Sequence, residues 1–314
     1  MKTKSTLLLP LATLFLLGPT LDLLAQRQQQ QRRQQPIPSD EAVQSRVPDG
    51  VTFVPNIPYR EGNERWKLDL AMPSEKADSP RPAIVFIHGG GWRNGDKRKS
   101  NFLNPALDYA AKGYVTITVN YRLTGTDPFP ACIEDVKNAV RWLRAHADEY
   151  NVDPDRIGAH GNSAGAHLVS MLGLAKKDAD LEGDGPYQDQ SSLVQAVCPS
   201  ATPTDFLNWK NGQPIVGGFL GIEDDEFEKR ARNYSPITHA GVDAPPFLLV
   251  HGTKDNTVPV SQSDRFEKAL KEAGAKDVTY LRFDGAGHGV FSQHKDETAP
   301  AMEEFFARTL KLNQ

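Results

Sequence analysis

Residues 160–167 read HGNSAGAH, a serine, Ser163, held between Gly161 and Gly165. The G-x-S-x-G pattern is short enough to arise by chance, so its surroundings decide what it means. Upstream, "DPDRIGAHG" reads as a turn and a short strand; downstream, "SAGAHLVSMLGLAKK" reads as a helix. A strand-to-helix handover is where a nucleophile elbow forms, because a sharp turn lifts the side chain above the sheet and small neighbours avoid clashes. A serine that merely caps a helix is the plainer reading of the motif alone, and this placement makes it the minority one.

Working outward, "VTFVPNIPY" and "WKLDLAM" alternate like half-buried strands, whereas "PAIVFIHG" and "YVTITVNY" are continuous and β-branched, as buried parallel strands are. Between the last two, "NFLNPALDYAAKG" predicts a helix ending at Gly113. Residues 131–150 place Ile133, Val136, Val140 and Leu143 on one helical stripe. "SLVQAVCPS", "PPFLLVHG" and "VTYLRFDG" supply later strands, with helices at about 261–273 and 300–312. Repeated β-α alternation predicts an α/β fold with a mostly parallel sheet and helices on both faces.

The chain has 314 residues with 39% hydrophobic content, enough for one large α/β domain. Lys+Arg 36 against Asp+Glu 40 gives a net charge of -4, without the basic excess that nucleic-acid binding needs. Lys2 and Lys4 precede an apolar run from Leu7 to Leu17 that Pro10, Gly18, Pro19 and Asp22 interrupt. That layout predicts an export signal over 1–25, cleaved after Ala25, and not the ~20 apolar residues of a stable membrane span. The product is then secreted or periplasmic. Residues 26–50, rich in Gln and Arg, are read as a disordered linker, leaving 51–314 as the catalytic domain. Cys132 and Cys198 lack a CxxC partner or a ligand cluster, so no metal site is expected, and whether the two pair is open.

A serine hydroxyl needs a base and a group that orients the base. His167, His239, His251, His288 and His294 follow Ser163. The first three read as structural or surface residues, and His294 lacks a loop setting. His288, flanked by Gly285, Gly287 and Gly289 after a late strand, is the candidate base, and Asp255 in "HGTKDNTVP" its orienting acid. "HGGGW", His88 to Trp92, ends the strand "AIVFI", where glycine amides are free to meet a developing oxyanion. Gly90, Gly91 and Ala164 are the candidate donors. A phosphate loop is the rival for this stretch, and it lacks the G-K-[ST] that should follow.

Taken together, "HGGGW", "VNYRL", "FPACIEDVKNAVRWL", "GNSAGAHL", "HGTKDNTVP" and "GAGHGVF" resemble, in order, the HGGG-type esterase/lipase group of α/β-hydrolases, close to hormone-sensitive-lipase-like and feruloyl-esterase-like bacterial enzymes. The resemblance covers nearly all of 51–314. Ala166 departs from it, standing where many relatives have a glycine. The resemblance implies ester hydrolysis with no cofactor. The segment Phe206–Arg232 is expected to form a short cover over the nucleophile, with Trp92, Phe206, Trp209, Phe219 and Phe291 as candidates to line a substrate pocket. The alternative is that these aromatics only pack the cover down. Five acidic residues, Glu223, Asp224, Asp225, Glu226 and Glu228, distinguish the cover from an apolar lipase lid, so soluble short-acyl or aromatic esters are expected, including acetyl and feruloyl groups on polysaccharides. The rivals are an aryl-formamidase-like amidase, a serine peptidase and a catalytically silent binding module; the last predicts a broken triad.

Overall fold

The computed structural model describes residues 36–209, 212–220 and 226–312. The chain divides after Ile37, and the body Pro38–Gln314 carries the elements described below. The expected export signal, 1–25, lies outside the described residues. In chain order the body runs α1 (Asp40–Gln44), β1 (Val51–Pro58), β2 (Lys67–Pro73), β3 (Arg81–Ile87), α2 (Ser100–Ala111), β4 (Val115–Val119), α3 (Ala131–Ala145), α4 (Ala147–Tyr150), β5 (Val152–Asn162) and α5 (Ala164–Leu174). It continues with β6 (Ala196–Ser200), α6 (Gln213–Leu220), α7 (Phe227–Asn233), β7 (Phe247–Gly252), α8 (Ser261–Glu272), β8 (Val278–Phe283), α9 (Val290–Gln293) and α10 (Lys295–Leu310).

The strands form one sheet in the order β1-β2-β4-β3-β5-β6-β7-β8. β1, β2 and β4 pair antiparallel, and β4 through β8 pair parallel. The continuous apolar runs are the central strands: β4, β6 and β7 are buried along their whole length. On β3 the side chains alternate between two cores, Val85 and Ile87 facing α3, α5 and α8, and Ile84 and Phe86 facing α2 and α10. The predicted α3 stripe, Ile133, Val136, Val140 and Leu143, is fully buried in the first core. Cys132 lies in that core and Cys198 in the other, so the sheet separates them, and both are free thiols.

Two sequence expectations need correction. The linker does not extend to Gly50, because Ser39 caps α1 through its Oγ and Val43 is fully buried against Val51, Leu103 and Leu107. Burying such a side chain is worth about 1.5–3 kcal/mol, enough to hold a five-residue helix that has no stability alone. The last helix starts at Lys295 and carries Pro300 inside it. Its first turn is tied down by Thr298, whose Oγ1 lies 2.7 Å from the Phe291 carbonyl and 3.0 Å from that of His294.

Register brings the ends of the parallel strands together. Ile87 pairs with Gly161, Asn162 with Ser200 and Gly252 with Phe283, so the loops leaving β3, β5, β6, β7 and β8 gather at one edge. In an open α/β sheet that carboxyl edge is where ligands bind.

Candidate active site

Ser163 sits between β5 and α5 with φ 55° and ψ −122°. A non-glycine residue held there costs about 1–3 kcal/mol, and the packing around it must enforce the turn. That packing leaves no room for side chains nearby. A Cβ on Gly165 would lie 2.2 Å from the Ile87 carbonyl oxygen, and one on Gly89 2.6 Å from that of Asn162. The glycine loop after β3 therefore presses directly on the elbow. Ser163 N–H donates to the Ser200 carbonyl at 2.9 Å, and its own carbonyl accepts from His167 N–H at 3.0 Å.

Gly90 and Gly91, with φ of 132° and 60°, turn the loop, and the Gly90 carbonyl accepts from the N–H groups of Arg93 and Asn94. Ala164 opens α5, where a helix leaves its N–H groups without intrahelical partners. Among the described residues, the N–H groups of Gly90, Gly91 and Ala164 donate to no backbone carbonyl. His88 anchors the loop's start: its ring stacks on Tyr121 at 4.3 Å, and the Tyr121 hydroxyl donates to its carbonyl. Burial pushes its pKa down to about 3, so it is a neutral structural ring.

The loop's far end is held by a charge cluster that sequence reasoning missed. Asp69 on β2, 2% exposed, accepts from Lys97 at 2.6 Å and from Arg98 at 2.8 Å, both nearly buried themselves. Arg98 also reaches Asp40 of α1 at 2.6 Å, and Asp96 accepts from Asn120 at 2.9 Å. The run Asp96-Lys97-Arg98 directly after Gly95 was the available signal.

Asp255 and His288 come from the loops after β7 and β8. His288 Nδ1–H donates to Asp255 Oδ2 at 2.7 Å, and Oδ1 accepts the N–H groups of Thr257 at 2.8 Å and Val258 at 2.9 Å. Burial opposes ionisation of Asp255, but the bonds from His251 and His288 outweigh it and hold the carboxyl well below the usual carboxylate range. The two loops are laced together by Lys254 N–H to the Ala286 carbonyl and Gly285 N–H to Thr253 Oγ1. Among the described residues Ser163 Oγ makes no hydrogen bond to His288, a contact that in unliganded hydrolases commonly tightens only with substrate. His251 is the second missed residue: read as structural, it has its Nε2 3.2 Å from Asp255 Oδ2.

The proposed pocket lining is not gathered as expected. Trp92, Phe206, Trp209 and Phe219 are each at most 2% exposed. Trp92 stacks on Phe219 at 4.1 Å and meets Phe206 edge-on at 5.9 Å, so these rings pack the cover against the domain. Phe291 lies on the other side of the sheet, against His160 at 4.8 Å. His167 ties the aromatic group together, accepting from Trp92 Nε1 at 3.3 Å and donating to the Tyr234 carbonyl at 2.8 Å. Burial lowers its pKa to about 4, consistent with a neutral structural role. Residues 223–225 of the acidic run lie outside the described residues.

The sheet order, the elbow at Ser163 and the glycine loop against it define an α/β-hydrolase fold. The BD-FAE family model matches residues 68–270, and the chain belongs to that family. It is 32% identical over 244 residues to Esterase LipQ of Mycobacterium tuberculosis, covering 74% of this chain and 56% of that one. With the probable carboxylic ester hydrolase LipM of the same organism it shares 31% identity over 266 residues, covering 80% and 60%. The chain thus spans little more than half the length of these curated relatives. Among solved structures, a truncated carbohydrate esterase from gut microbiota superposes with a TM-score of 0.76 at 28% identity, covering 83% of this chain and 96% of that one. Esterase 2 of Thermogutta terrifontis phosphorylated by paraoxon superposes with a TM-score of 0.70 at 28% identity, covering 85% and 96%.

Proposed function

We propose that this chain is an exported serine esterase that hydrolyses soluble carboxylic esters through an acyl-enzyme on Ser163. The observation that carries the reading is the 2.7 Å bond from His288 Nδ1–H to Asp255. It commits the Nδ1 proton to the acid and leaves Nε2 with a lone pair, on the edge of the sheet where Ser163 stands. Ser163 Oγ attacks the ester carbonyl while His288 Nε2 takes its proton. The resulting oxyanion accepts N–H donors from Gly90, Gly91 and Ala164. Collapse expels the alcohol, which takes the proton from His288; water, deprotonated by the same nitrogen, then releases the acid and restores Ser163.

The substrate reading rests on the cover. Trp92, Phe206 and Phe219 fill the space between the oxyanion loop and α6, which favours small acyl groups over long chains. The carbohydrate esterase among the structural neighbours supports an ester carried on a saccharide. A comparison of kcat/KM for p-nitrophenyl acetate, a long-chain p-nitrophenyl ester, methyl ferulate and acetylated xylan tests this. The short and saccharide-borne esters should lead. Highest efficiency on the long-chain ester, with activation at an oil interface, would sink the reading.

A further inference from the structure

Asp255 Oδ2 faces two imidazoles, and the proposed reaction uses one of them. His251, at the end of β7, is fully buried and meets the same carboxylate oxygen as the partly exposed His288. Its Nε2 is 2.9 Å from the Val258 carbonyl oxygen and 3.2 Å from Asp255 Oδ2; its Nδ1 is 2.7 Å from Ser263 Oγ on α8. A carbonyl oxygen and a carboxylate are acceptors only, so Nε2 must carry a proton, and in the neutral ring Nδ1 then accepts from the Ser263 hydroxyl. A lone pair on Nε2 would face two buried oxygens with no donor between them.

We infer that His251 is a positioning residue for the triad acid: its Nε2–H donates to the Val258 carbonyl and stands 3.2 Å from Oδ2, so it holds the turn and the carboxylate that orients His288 in place. The inference rests on the triad reading above. Val258 is the pivot, since its N–H already holds Oδ1 at 2.9 Å. With His251 on its carbonyl, the turn and both carboxylate oxygens become one rigid unit, locked from behind by Ser263. A carboxylate free to swing would carry His288 with it, and displacements of about 1 Å at a reacting group cost on the order of 100-fold.

The test is a pair of polar replacements that differ in which ring nitrogen they imitate. The amide nitrogen of His251→Gln reaches the Nε2 position, whereas that of His251→Asn reaches the Nδ1 position and leaves Oδ2 unbraced. The inference predicts that His251→Asn lowers kcat about 10- to 100-fold with KM unchanged, and that His251→Gln recovers most of the loss. The downfield proton resonance of His288 Nδ1–H should move in the Asn variant and stay in the Gln variant. Equal kcat in both folded variants, with that resonance unmoved, would overturn it. Nitrogen-15 spectra of the unmutated protein test it independently of variant folding: His251 must be protonated at Nε2 and bare at Nδ1, and the opposite tautomer contradicts it. Asp255→Asn is the control, because its retention of full activity would refute the triad reading instead.

Discussion

Asp69→Asn probes how the glycine loop after β3 is held. The substitution keeps the side chain's shape and removes the negative charge that Lys97 and Arg98 share at 2.6 and 2.8 Å, with all three groups nearly excluded from solvent. Breaking a buried pair costs about 3–5 kcal/mol, because the surviving charge loses its compensation. Arg98 keeps Asp40 at 2.6 Å and Lys97 keeps Asn56 Oδ1 at 2.9 Å, which puts the loss near the lower end, about 3 kcal/mol. For a body of this size that corresponds to about 6–12 °C in Tm. The pH dependence has a definite sign. Burial already lowers the Lys97 pKa and Asp69 works against it, so removing Asp69 lowers it further. Between that lowered value and the unfolded lysine's value of about 10.4, the unfolded chain binds more protons, and stability of the variant rises with pH. Urea unfolding followed by tryptophan fluorescence should therefore show a deficit at neutral pH that narrows as the pH rises toward the unfolded lysine's value. An unchanged midpoint, or a gap that widens with pH, would refute the reasoning.

Ser163→Ala and His288→Ala should each remove most ester turnover, and the double variant should lose little more, because triad members act as a unit; kcat/KM for the three variants, with circular dichroism to verify folding, checks this. Asp255→Asn should be destabilised at neutral pH. Its gap from the parent should shrink as pH falls below the unfolded aspartate value of about 3.9 toward the lowered folded value, where the parent's carboxylate also takes a proton; urea titrations across that range measure it. Phe219→Ala removes the ring stacked on Trp92, and an acyl-length series should show its optimum moving to longer chains at some cost in stability.

Much of the architecture was legible because its signals are local. Continuous β-branched runs become central strands when both faces are covered, and the α3 stripe needs nothing beyond helical spacing. Ser163, Asp255 and His288 stood out because each sits in a glycine-punctuated loop after a strand, which secondary structure alone locates. What escaped was set by tertiary partners. Val43 is a lone apolar residue in a polar stretch, and its burial depends on α2 arriving beside it. Asp69, Lys97 and Arg98 look like surface charges until β2 and the glycine loop bring them together. His251 ends an apolar strand and reads as core filler, although its spacing of four residues before Asp255 was a usable clue. Phe291 went to the far side of the sheet because α9 turns its ring onto His160.

The central claim is that Ser163 is a nucleophile activated at this edge of the sheet, and covalent capture tests it most directly. Incubation with paraoxon, followed by peptide mass spectrometry, should give one diethylphosphoryl group per chain, on Ser163, with ester turnover falling in step with labelling. Ser163→Ala should take up none, and Asp255→Asn should label far more slowly. Labelling at another residue, or an unlabelled Ser163 in folded protein that still turns over esters, would contradict the account.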